Sequence, residues 1–117
     1  MIKSVVKNVG NQALSPEDNL VVLFNTNATP NLSEFCVLQE VEENASFDLS
    51  IGDAISFDDQ TYTIKFVGPL ANRDLNDLSH TSIFFQEVPT DNQIANALYV
   101  EPHKMPIISE GTVITFS

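Results

Sequence analysis

The chain has 117 residues and a formal net charge of −11, with 16 acidic side chains against five Lys and Arg. That length predicts one compact domain over residues 1–117, and a hydrophobic share of 43% argues against disorder. The cations, Lys3, Lys7, Lys65, Arg73 and Lys104, are too few and too scattered to release counterions from phosphates, so nucleic acid and anionic membrane are poor partners and a basic protein a better one.

Taken in chain order, MIKSVVKNVGNQ carries a short apolar run that ends at Val6 and then turns polar. It matches neither a signal peptide nor a membrane span, so the cytoplasm is expected. Residues 2–7, 19–26, 34–40, 54–57, 60–67, 80–87 and 111–117 are short, β-branched or aromatic, and bounded by Gly, Pro, Asn or Asp, which predicts strands. Ser15-Pro16-Glu17-Asp18 has the residues of a helix start but no apolar stripe after it, and reads as a turn. Asp58-Asp59 reads as a tight hairpin turn between two strands, because Asp tolerates left-handed backbone. After Gly68-Pro69, Leu70 or Ala71, Leu75 and Leu78 recur at spacings of three and four, which predicts a helix of one or two turns. The expected fold is all-β, a small antiparallel barrel with one short helix.

Two stretches echo one another. Leu49-Ser-Ile-Gly52-Asp-Ala-Ile55-Ser-Phe57 and Ile108-Ser-Glu-Gly111-Thr-Val-Ile114-Thr-Phe116 share an apolar residue three before the Gly, another three after it and a Phe five after it. Each reads as a Gly-enabled turn feeding a strand whose alternate residues face the core. Both pseudo-symmetric halves and a chance match are compatible with this pattern.

The search for chemistry excludes more than it finds. Four separated glycines make no phosphate loop, one Cys with two distant His makes no zinc site, and no nucleophile elbow is present, so a classical hydrolase is not expected. The acid pairs Glu17-Asp18, Glu42-Glu43 and Asp58-Asp59 lie in loop contexts where carboxylates are solvated. Cys36 sits in an apolar pattern without a nearby cation and reads as an inert buried thiol, with no disulfide open to it. His103, in EPHKMP, reads as a loop residue. His80 follows the helix and opens a strand, where a rigid corner can present a side chain to solvent. Its residue type fits both a reactive imidazole and a junction residue bonded to a backbone carbonyl.

The run Phe66-Val67-Gly68-Pro-Leu-Ala71-Asn-Arg-Asp-Leu75-Asn-Asp-Leu78-Ser-His80-Thr-Ser-Ile-Phe84-Phe85 resembles the glucitol/sorbitol-specific IIA component of the bacterial phosphotransferase system. Leu32-Ser-Glu34-Phe35-Cys36, the region from Gly52 to Phe57, and Gly111 to Phe116 extend the resemblance over nearly the whole chain. It implies a cytoplasmic β-barrel that takes a phosphoryl group from the phosphocarrier HPr onto a histidine and passes it to the IIB component of a sugar permease with its IIC partner. Neither cofactor nor metal enters that scheme. Gln39 occupies the position aligned with the family's acceptor histidine, and an amide nitrogen has no lone pair to accept a phosphoryl group. His80 matches another histidine of the family pattern, with Ser79 in place of a Gly, and is the candidate phospho-acceptor. The alternative implied by Gln39 is a family member that is not phosphorylated and acts as a protein-binding or regulatory module.

Overall fold

The computed structural model describes residues 1–14 and 17–117. Ser15 and Pro16, half of the expected turn at 15–18, lie outside the described residues. Eight strands form a closed barrel: β1 (Ile2–Val9), β2 (Leu20–Asn25), β3 (Val37–Val41), β4 (Ala54–Phe57), β5 (Gln60–Val67), β6 (Thr81–Phe84), β7 (Ala97–Glu101) and β8 (Val113–Phe116). They follow one another around the wall as β1-β3-β2-β6-β7-β5-β4-β8. Strand periodicity explains the core, because Val6, Val21, Leu23, Ile55, Phe57, Ile64, Ile83, Ile114 and Phe116 all point inward and are buried.

The barrel and the helix α2 (Ala71–Leu78) agree with the sequence reading. Most neighbouring strands are antiparallel, but β2 pairs with β3 and β6 with β7 in parallel. Parallel pairing needs a crossover, and the segments after β2 and β6 supply it. The first crossover holds an unexpected helical turn, α1 (Pro30–Ser33), with Thr29 as its N-cap and Pro30 in its first turn. For that reason the expected strand at 34–40 begins only at Val37. Strand β7 also went unforeseen, since it is buried along Ala97 to Val100 and carries no polar alternation to mark it.

The two echoing stretches pair with each other. Strands β4 and β8 lie antiparallel, with Ile55 opposite Phe116, Phe57 opposite Ile114, and Ser56 opposite Thr115 at the centre. Gly52 and Gly111 both take positive φ, +99° and +93°, where a side chain would strain the backbone. The likeness spreads further. The β1/β3 register shifts between Val6 and Asn8, and the β5/β7 register shifts at the matching place, between Ile64 and Phe66. Gly10 N–H then donates to Cys36 O, and Gly68 N–H to Ala97 O. Exchanging β1–β4 for β5–β8 maps the barrel order onto itself, so the molecule is two four-stranded units about a pseudo-twofold axis.

Helix α2 is fastened by side chains rather than by a ladder. Asn72 Oδ1 accepts from Leu49 N–H at 2.8 Å and its Nδ2 donates to Leu49 O at 3.1 Å. One turn on, Asn76 does the same to Phe47, at 2.7 and 3.0 Å. These amides stand in for a neighbouring strand and seat the buried Phe47 and Leu49 in the core. Changing both asparagines to Ala strands four backbone groups, and a loss of about 2–4 kcal/mol in a urea melt is expected. An unchanged midpoint would show that water replaces the clamp without penalty.

Candidate functional site

At the C-terminal end of α2 the chain turns sharply into β6. Ser79 adopts the left-handed conformation, φ +52° and ψ +34°, while His80 N–H reaches back to Asp74 O at 3.2 Å and Ser79 N–H to Leu75 O at 3.0 Å. The left-handed residue with its N–H bonded to Leu75 O is an αL C-terminal cap, the place where a Gly is favoured. The Gly of the resembling pattern therefore has a backbone role that Ser79 fills here. Two side chains satisfy carbonyls at this corner, Asn25 Nδ2 donating to the last helical one, Leu78 O, at 3.0 Å and Gln39 Nε2 to Ser79 O at 2.9 Å.

That corner fixes His80. Its Nδ1 stands 2.9 Å from Leu23 O, so Nδ1 carries the proton and donates a hydrogen bond to a carbonyl at the end of the β2/β6 ladder. The imidazole thus extends the β2/β6 ladder beyond its last pair, Leu23 with Thr81. The lone pair is left on Nε2, where the Asn96 amide donates to it at 3.1 Å. The Phe24 ring packs at 5.0 Å from the imidazole. Half-buried and bonded at both ring nitrogens, His80 is held in a single orientation.

Gln39 lies beside this corner but inside the wall. It is 1% exposed; its Oε1 accepts from Ser4 Oγ and its amide donates to Ser79 O. Gln39 and His80 are therefore linked through Ser79. Strand alternation sends the neighbouring Glu40 outward, while Glu42 accepts from Lys3 N–H. Asn96, Asn25, Ser4 and the Leu23 carbonyl are members of the site that sequence reasoning missed. Ordinary polar residues far apart in the chain carry no signal until the barrel gathers them.

The other candidates stand apart. His103 is exposed, and none of the hydrogen bonds or ring contacts of His80 involves it. Glu17, Asp18, Glu43 and Asp59 are exposed, and Asp58 builds the expected hairpin turn with φ +55°. Among the described residues no group of His, Cys, Asp and Glu is arranged to hold a metal, and no helix is long and apolar enough to cross a membrane. Cys36 is 1% exposed, and burial pushes its thiol pKa up. Its reaction with a thiol-exchange reagent is expected to run about a hundredfold or more slower in the native protein than in urea. Equal rates would show that the turn before β3 opens freely.

A closed mixed barrel with one tautomer-locked imidazole at a helix-to-strand corner defines a protein suited to nucleophilic group transfer or to docking, and places it in no wider class by itself. The comparisons narrow this. The family model described as "PTS system glucitol/sorbitol-specific IIA component" matches residues 1–115. Among solved structures, the crystal structure of the PTS system IIA component from Enterococcus faecalis V583 superposes with a TM-score of 0.94 at 33% identity, covering 97% of this chain and 98% of that one. No curated protein matches. The chain belongs to the glucitol/sorbitol-specific IIA family of the phosphotransferase system, a family of phosphocarriers.

Proposed function

We propose that the protein carries a phosphoryl group on His80 Nε2, receiving it from HPr and passing it to the IIB component of a sugar permease in the cytoplasm. The observation that carries this reading is the Nδ1–H bond to Leu23 O, which keeps the proton on Nδ1 and leaves the lone pair on Nε2. In the forward step the Nε2 lone pair attacks phosphorus in line. The N–P bond of the donor phosphohistidine breaks, its electron pair returns to the donor nitrogen, and the proton of His80 stays on Nδ1, donated in a hydrogen bond to Leu23 O. Only the Asn96 amide has to leave Nε2, at a cost of about 1 kcal/mol for a neutral hydrogen bond. The scheme calls on no metal or cofactor. With a net charge of −11, the protein is suited to basic partner surfaces that also offset the phosphoryl charge.

A second reading rests on Gln39. Its amide is buried and bonded at both ends, so the position aligned with the family's acceptor histidine cannot take a phosphoryl group. On that reading the chain is a binding or regulatory member of the family. Incubation with enzyme I, HPr and labelled phosphoenolpyruvate separates the two: acid-labile, base-stable label on this protein supports the carrier, and a bare protein beside labelled HPr supports the module.

A further inference from the structure

We propose that Asn96 is a second catalytic residue, one that covers the His80 nucleophile at rest and then holds the transferred group. The inference rests on the carrier reading above. Asn96 Nδ2 lies 3.1 Å from Nε2, on the lone pair that must form the bond to phosphorus. Once that bond forms the amide has lost its acceptor, and three phosphoryl oxygens appear beside it.

The Asn96 backbone cannot move away with the side chain. Its carbonyl accepts from Thr81 Oγ1 at 2.9 Å and from Ser82 N–H at 3.4 Å, and Thr81 is fully buried in β6. The residue leads directly into β7, which pairs with β6. Only its side-chain torsions are free, so the amide swings aside while staying within reach of a group on Nε2. There its N–H donates to a phosphoryl oxygen, a stronger, charge-assisted bond than the one it leaves. Asn supplies this donor without adding charge. An Asp in the same place would set a carboxylate against a dianion.

The test compares wild type, Asn96→Asp and Asn96→Ala, each first shown to be folded by its thermal transition. Each receives label from HPr and, separately, from the small donor phosphoramidate, with the modification mapped to the His80 peptide so that His103 does not contribute. Asn96→Asp is expected to label at least tenfold more slowly from both donors. Asn96→Ala, which lacks the donor to the phosphoryl oxygen, is expected to label several-fold more slowly and to lose its label to water several-fold faster. Wild-type rates of gain and loss in both variants would overturn the role of Asn96 while leaving the carrier reading intact. Wild type labelled at His80 by phosphoramidate but not by HPr, with Asn96→Asp slowed, would sink the carrier reading and keep Asn96 as the residue controlling that nitrogen. No label at His80 from either donor would overturn both.

Discussion

Replacing His80 by Gln is expected to abolish phosphoryl transfer to this protein, while His103→Gln leaves it unchanged. Gln is the informative substitute because it can donate to the Leu23 carbonyl as the imidazole does, so the corner between α2 and β6 survives. Its amide nitrogen has no lone pair for phosphorus, whatever its position. A residual signal below about one part in a thousand of wild type is the expectation, since no neighbouring group offers an alternative nucleophile of the same class. His80→Ala gives the same chemical result with a fold less well held, because Leu23 O and the Asn96 amide both lose their partner, at about 1–3 kcal/mol. Label that persists in His80→Gln and disappears in His103→Gln would move the acceptor to the exposed loop.

The second large effect is on stability and concerns Gln39. Leu has nearly the same volume, but Gln39→Leu leaves the buried Ser4 hydroxyl and the half-buried Ser79 carbonyl without their partner, and a loss of about 2–3 kcal/mol is expected in a urea melt. Gln39→His should lose less than about 1 kcal/mol. A neutral imidazole presents one acceptor and one donor, the same pair that Gln39 offers to Ser4 and Ser79. The slot thus asks for that pair of functions and not for a particular residue. A Leu variant as stable as wild type would show that the buried network adds nothing. A His variant as damaged as Leu would show that the amide's shape matters more than its bonding pattern.

The barrel was legible because its strands alternate and its turns are punctuated by Gly and Asp, physical signals contained within a few residues. Helix α2 was legible for the same reason, through Leu75 and Leu78 and the Gly68-Pro69 before it. Parallel pairing of β2 with β3 and of β6 with β7 was not, because chain direction is decided by crossovers that leave no period in the sequence. Strand β7 lacked alternation, being covered on both faces. In the site, residue type singled out His80, and its place at the corner followed from the helix ahead of it. The rest depended on closure of the barrel. Gln39 meets Ser79 across 40 positions of sequence and His80 meets the Leu23 carbonyl across 57. No local pattern announces contacts of that separation.

The pseudo-twofold axis gives the His80 corner an equivalent in the other half of the barrel. Following the shared register, with Val37 of β3 matching Leu98 of β7 through the equivalent bulges, Leu23 corresponds to Ile83 and the place of His80 falls on Leu20. Two structurally equivalent corners therefore exist, and only one bears an imidazole. The other half carries the apolar Leu20 at that place and has no counterpart of α2 among its described residues. A repeated unit that builds the wall twice leaves one copy free to diverge without loss of closure, and chemistry can be concentrated on a single edge of an otherwise symmetric shell.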